Sequence, residues 1–285
     1  MLTEETMIDP DDGSEMNSDR SWFGDAWIRG RETVLNRLSG VKPSTIINQT
    51  LGETDMPPAA DLAAELKQTL DDLKLSVMDE TGATVDYAAL RDSPAYADYQ
   101  QQCQAALRQF KPGSLPDRRA RQAFWINLYN ALFVDAGITF GVERSVTEGR
   151  LGMLSFFRRA AYLVDGQRVS LEDIEHGILR GNRGNPYVPG AHFASDDPRL
   201  AWSLPLDPRL HFALNCGGRS CPPIRSYSSQ KLDLQLDLAA RGFLDASVEV
   251  RPEANEVWLS RILRWYGHDF GGREGMLDLL ISYLP

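Results

Sequence analysis

The residues with the strongest chemical potential gather in Asp207–Pro223, DPRLHFALNCGGRSCPP, where His211, Cys216 and Cys221 follow at five-residue intervals, fenced by Gly217-Gly218 and Pro222-Pro223. A cysteine nucleophile needs a neighbouring histidine to yield thiolate at neutral pH, and a third group to orient the imidazole. His211 offers the base, and either cysteine offers the nucleophile. A helix opening at Asp207-Pro208 and closing at Gly217-Gly218 would leave Cys216 at the negative end of its dipole, which disfavours thiolate. Cys221 follows Arg219 in a loop stiffened by prolines and is the favoured nucleophile. Two further stretches supply partners. In SLEDIEHGILRG (Ser170–Gly181), Glu175 lies between Leu171 and Leu179 at four-residue spacing, placed to orient a histidine, and His176 is an alternative base. In AFWINLYNAL (Ala123–Leu132), Asn127 and Asn130 lie on nearly one face of an otherwise apolar helix and could donate to an oxyanion or a substrate. Asn215, on the same side of its element as His211, and Arg219 complete the expected substrate-contacting set.

Two other readings use the same residues. His211, Cys216 and Cys221 with His176 or His192 would make four soft metal ligands. The H-x4-C-x4-C spacing is not a common zinc pattern, so no metal and no cofactor is assigned. In the structural reading His211 bonds a carbonyl, the cysteines pack under a tight turn, and the two helix asparagines bond backbone of a neighbouring loop.

These groups require elements to hold them. Asp207 as N-cap and Pro208 at the first position favour a helix through Asn215, although the alternation of Leu210, Phe212 and Leu214 also fits a strand. Arg118–Phe133 is apolar nearly all round, the mark of a buried helix. Asp165-Gly166 between two short runs predicts a hairpin over Tyr162–Ser170. Ser170 and Asp173 form a capping box that starts a helix over Leu171–Leu179. Val248–Arg251 and Glu256–Ser260 predict a second hairpin. The long Gly181–Asp197 segment, rich in Gly, Asn and Pro, reads as a covering loop. Upstream, Phe23, Trp27, Val34 and Leu38 recur at helical spacing on a helix whose two tryptophans, Trp22 and Trp27, are expected to dock on the main body, and Leu62, Leu66, Leu70 and Leu73 form a second helical stripe.

Composition sets outer bounds. A net charge of −10 argues against a dedicated nucleic-acid binder, which needs a basic face to displace counterions from phosphates. No run approaches a membrane-spanning helix, and three cysteines, an odd number, fit a reducing cytoplasm better than a disulfide framework. Met1–Arg20 carries seven acidic residues against one basic and no apolar stripe, so it is expected to be disordered.

HFALNCGGRSCPP, AFWINLYNAL, SLEDIEHGILRG and VWLSRILRWYGHDF (Val257–Phe270), in that family's order along the chain, resemble the domain of unknown function 547 family. The likeness runs from about Val85 to near the C-terminus. The resemblance implies no particular reaction.

The expected architecture is α+β: a helix-rich single domain with two β-hairpins, over residues 81–285, preceded by a helical extension (21–80) and an acidic tail (1–20). Papain-like and transglutaminase-like folds use comparable groups, by analogy only. The expected function is a cysteine-dependent hydrolase or acyl-transfer enzyme acting on an amide or ester of a small molecule or peptide, without nucleic acid or membrane as partner. The alternative is a non-catalytic interaction module that binds a protein through the N-terminal helices.

Overall fold

The computed structural model describes residues 13–49, 59–77, 87–142, 146, 152–217 and 221–284, with backbone alone at 13–22, 43, 73–77 and 87–88. Residues 1–12 of the expected tail, Arg219, and the side chains of Trp22 and Leu73 lie outside this description.

The architecture grows outward from one helix. In chain order the helices are α1 (Gly13–Leu38), α2 (Ala59–Val77), α3 (Tyr87–Arg91), α4 (Pro94–Asp98), α5 (Ala105–Leu107), α6 (Arg118–Thr139), α7 (Gly152–Arg159), α8 (Leu232–Ser247), α9 (Arg261–Trp265) and α10 (Gly272–Tyr283). Two antiparallel hairpins, β1–β2 (Ala161–Val164, Gln167–Ser170) and β3–β4 (Glu249–Arg251, Glu256–Trp258), are the sheets among the described residues, which makes the fold α+β and helix-rich. Asp117 caps α6 by accepting from the Ala120 amide at 2.8 Å, and the helix is then buried continuously from Gln122 to Ile138. A helix apolar on every face must be wrapped on every face. α2 lays Leu62, Leu66 and Leu70 against it, while Phe110, Phe156, Phe157, Leu171, Ile174 and Ile178 close the other sides.

The polar residues of α6 are tied off inside this core. Asp135 accepts from Tyr162 at 2.6 Å, from Gln104 at 2.7 Å and from Tyr96, knotting α4, the π-helical turn Tyr99–Gln104 and β1 to α6. Burial pushes its carboxyl up to about 6 in spite of those donors. Asp165 and Gly166 both have positive φ, as the hairpin turn demands. The capping box forms as expected: the Asp173 amide donates to Ser170 Oγ at 3.2 Å and the Ser170 amide to Asp173 at 2.8 Å. The helix it starts turns π-helical over Asp173–Leu179. At Gly177 an added Cβ would sit 2.2 Å from the Phe193 ring, so a side chain here would expel the loop that packs on this turn.

Two expectations are corrected. The first concerns α1. The helix forms and begins at Gly13, inside the stretch read as disordered, but Phe23, Trp27, Val34 and Leu38 face outward at 66%, 61%, 56% and 61% exposure. The docked face is the charged one. Arg31 donates to the Pro189 and Ala191 carbonyls at 2.5 and 2.6 Å, Asp25 accepts from the Ser195 amide at 2.9 Å, and Glu32 takes Arg158 at 2.6 Å. Apolar spacing gave the right helix and the wrong face, because these charged groups meet complementary partners on the body. The second concerns Asp207–Cys216. Asp207 does cap, accepting from the Arg209 amide at 3.1 Å, but it opens only a single 3-10 turn, Pro208–Phe212. Leu210 packs into the core around α6 and Phe212 into a second cluster with Ala239, Ala240, Phe243, Ile262 and Phe270, and His211 is buried between them. Three consecutive inward side chains do not fit one helix face.

Candidate functional site

A cavity of about 490 Å³ opens where α1, α6, α7, the π-helical turn, the Pro208–Phe212 turn and α9 meet. Its wall is largely apolar, with Leu35, Met153, Leu154, Phe157, Ile262 and Trp265, while Asn185 to Val188 of the 181–197 loop form one side. At its polar end lie Glu172, Glu175, His176, His211 and the two tyrosines Tyr129 and Tyr266, with Cys216 also on the wall. The volume is that of a ligand pocket, and an apolar enclosure with a few convergent polar groups is the usual form of one.

His211 is held from behind. Its Nε2 lies 2.9 Å from Asp269 Oδ2, and Asp269 is fixed by a two-pronged pair to Arg180, Nε to Oδ2 at 2.5 Å and Nη2 to Oδ1 at 3.1 Å. The two donors hold the Asp269 carboxyl well below the usual carboxylate range despite burial. A carboxylate there accepts, so Nε2 carries the His211 proton and Nδ1 keeps the lone pair. The ring stacks on Tyr266 with centroids 3.9 Å apart. Burial lowers the His211 pKa, so the imidazole is neutral at pH 7.

His176 has a different environment. Arg180 Nη1 lies 2.9 Å from its Nδ1, and a guanidinium only donates, so Nδ1 accepts and the proton sits on Nε2. Burial first and Arg180 second push its pKa well down. Glu175 accepts from Tyr266 at 2.5 Å and from Tyr129 at 3.1 Å. Glu172, one turn earlier, faces His176 Nε2 at 3.4 Å. A third histidine, His192, is spent on Asp173 at 2.8 Å and helps lock the loop to the π-helical turn.

The structure therefore brings Glu175, His176, His211 and Cys216 to one cavity, with the 181–197 loop beside it. The other expected site residues go elsewhere. Cys221 lines a separate groove with Phe212, Arg225, Phe243 and Trp258. Asn127 accepts from the Tyr227 amide and donates to its carbonyl, both at 2.8 Å, and Asn130 donates to the Ala213 and Arg225 carbonyls and accepts from the Asn215 amide. Both amides are engaged by backbone inside the core, and neither lines the cavity. Asn215 closes its own loop, donating to the Pro222 carbonyl at 2.8 Å and accepting from the Gly217 amide at 2.8 Å.

That loop closure bears on the thiols. It brings the Cys216 and Cys221 Cα atoms to 6.0 Å, within disulfide reach, and the two are bonded; among the described residues Cys103 is the free cysteine. The reading of three free cysteines is corrected accordingly: neither Cys216 nor Cys221 is a thiol in this structure. The four-ligand metal set does not form either, since both sulfurs are bonded to each other and His192 is taken by Asp173. No group of three or more His, Cys, Asp or Glu able to hold a metal ion occurs among the described residues.

Residues 113–244 match the family model described as Protein of unknown function, DUF547. Neither curated proteins nor solved structures give a match. The matched stretch supplies Tyr129, Glu172, Glu175, His176, Arg180, His211 and Cys216, but Leu35 comes from before it and Ile262, Trp265, Tyr266 and Asp269 from after it. The cavity is thus completed by segments outside the matched stretch. Arg180, Tyr266, Asp269 and Glu172 were not singled out from sequence. Arg180 stands one turn after His176, a spacing that could have flagged it, and Asp269 lies in the HDF of a stretch that carries the family resemblance. Among the described residues no helix is long and apolar enough to cross a membrane.

Proposed function

We propose that the cavity is the active site of a thiol hydrolase or acyl-transfer enzyme acting on an amide or ester. Cys216 is the nucleophile once its bond to Cys221 is reduced, and His211 is the base. One observation carries the reading: His211 is fixed by a buried carboxylate at 2.9 Å and shares its cavity with Cys216. A cysteine, a histidine and an orienting acid in one enclosed pocket are the parts a thiol acyl transfer needs. Cys216 replaces Cys221 as the nucleophile because Cys221 lines the other groove.

The steps follow from the tautomer. An external dithiol takes the disulfide through a mixed disulfide, is itself oxidised, and leaves two thiols. His211 Nδ1 accepts the Cys216 proton, and Asp269 stabilises the imidazolium that forms. The thiolate attacks the carbonyl, the amine or alcohol departs with the proton from Nδ1, and an acyl-cysteine remains. The same imidazole then deprotonates a water, or an acceptor nucleophile, which releases the acyl group and restores the thiol. Thiols persist in a reducing compartment, so a cytoplasmic location accompanies this reading.

The test compares Cys216→Ala and Cys221→Ala with the reduced and oxidised full chain on p-nitrophenyl butyrate and an acyl p-nitroanilide. Turnover is expected in the reduced protein and in C221A even without reductant, and none in C216A. Equal background rates in all four would discard the thiol reading. The interaction-module reading would then stand, favoured by the outward face of α1, where Phe23, Trp27, Val34 and Leu38 form an exposed apolar stripe.

A further inference from the structure

Glu172 is the least satisfied group in the cavity. It is 5% exposed, it lines the wall, and its Oε2 has no hydrogen-bond partner among the described residues. Its Oε1 has only the Asn185 amide at 3.4 Å. The nearest ring nitrogen, His176 Nε2, stands 3.4 Å from Oε2 without completing a bond, and that ring is held neutral because Arg180 donates to its other nitrogen. Arg158, whose charge reaches Glu172, spends its Nη1 on Glu32 at 2.6 Å and Asn36 at 3.3 Å. A buried carboxylate oxygen left without a donor is costly, and one found in a native pocket calls for a partner.

The surroundings specify that partner. Glu175 is a second carboxylate at the same end, and both imidazoles there are neutral, so the polar end offers acceptors and net negative charge. The rest of the wall is Leu35, Met153, Leu154, Phe157, Ile262 and Trp265, which gains only by burying apolar surface. We infer that the cavity takes an apolar amine: an aliphatic or aromatic body against the α1, α7 and α9 side chains, and an ammonium head donating to Glu172 Oε2. Asn185, whose amide reaches Glu172 Oε1 at 3.4 Å, and Tyr187 line the cavity from the loop, which is itself clamped by Arg31 of α1. This rests on the cavity being the substrate site and names the substrate class for it. The aminated group is the part recognised, and an acyl or ester carbonyl elsewhere on the molecule would face Cys216.

Binding is measured on the disulfide-bonded full chain, where no turnover is proposed, so the result does not depend on the thiol chemistry. Calorimetric titration with 4-phenylbutylamine, 4-phenylbutanol and 4-phenylbutyrate keeps the apolar body constant and varies the head. The amine is expected to bind at least tenfold tighter than the alcohol, and the carboxylate weakest. Glu172→Gln should erase the preference for amine over alcohol, while Ile262→Ala should weaken all three alike. Equal or tighter binding of the carboxylate, an amine preference that survives Glu172→Gln, or no binding of any probe would overturn the inference. Because the wild-type series tests it alone, a misfolded variant does not rescue it. Amine selectivity without hydrolysis by the reduced protein removes the thiol reading and leaves this one; hydrolysis without amine selectivity does the reverse.

Discussion

Replacing Asp269 by asparagine removes one charge from a pair in which both partners are buried: the Asp269 side chain is 2% exposed and that of Arg180 5%. The substituted amide would keep one acceptor oxygen, but Arg180 would retain its charge with no carboxylate to balance it. Breaking such a buried pair from one side costs about 3–5 kcal/mol, since the remaining charge stays desolvated. The lower figure is expected, because Arg180 also donates to the Gly184 carbonyl and to His176. At a urea slope of about 3 kcal/mol/M that is a midpoint about 1 M lower with an unchanged slope. The same substitution acts on His211. Its hydrogen bond to Asp269 is the main influence holding its pKa up against burial, so the NMR titration of its ring should move further down. The double variant Arg180→Met/Asp269→Asn should lose less stability than the two singles added together, because it leaves no orphaned charge. A midpoint within about 0.3 M of wild type, at the slope of about 3 kcal/mol/M used above, or an unmoved His211 titration, would refute the role given to this pair.

Two further outcomes are expected. Asp135 has a carboxyl raised to about 6, above the ordinary unfolded value near 3.9, so the protonated form is favoured in the fold; its contribution is fully present below about pH 3.9 and is lost as pH rises through about 6, a fall of about 2–3 kcal/mol. Denaturation midpoints of wild type and Asp135→Asn across pH 4–7 should differ by that slope, and parallel curves would contradict it; Asp173 and Asp269, whose carboxyls are held low, contribute in the opposite sense and cancel in the difference. Asn127→Ala should cost about 2–4 kcal/mol in thermal or urea unfolding, since it strands the buried Tyr227 amide and carbonyl, and should leave ligand binding to the cavity unaltered; loss of binding with normal stability would restore its place in the site.

How much of this was legible in the sequence depended on whether a feature was local. The burial of α6, both hairpins and the Ser170–Asp173 box rest on periodicity, turn residues and capping within a few positions, and all formed. The convergence of Glu175, His176, His211 and Cys216 was drawn from residue types alone. What failed needed long-range information. For Asn127 and Asn130 the loop-bonding reading holds and the substrate-contacting one does not; sequence could not separate them because the partners, the backbone at Tyr227, Ala213 and Arg225, lie 83 to 100 positions away. Glu175 was the orienter expected from sequence, but it accepts from Tyr266 and Tyr129, and Asp269, 58 residues after His211, holds that ring instead. The outward face of α1 was misread because the polar contacts that dock the other face involve Ser195, Asp196 and Arg158, none of which its own sequence names. The disulfide depended on a loop closure by Asn215 that composition does not reveal.

The central claim, that Cys216 becomes a nucleophile served by His211, is tested most directly by the alkylation rate of Cys216 with iodoacetamide. In Cys221→Ser the thiol at 216 stands unpaired, and Cys103 does not interfere, because burial pushes its thiol up to about 12. Rates across pH 5–10 should give an apparent thiol pKa below the ordinary value of about 8.5, and His211→Ala should slow the reaction at pH 7 by at least about tenfold, the rate ratio of a one-unit rise in that pKa. A pKa at or above 8.5, indifferent to His211, would contradict the account.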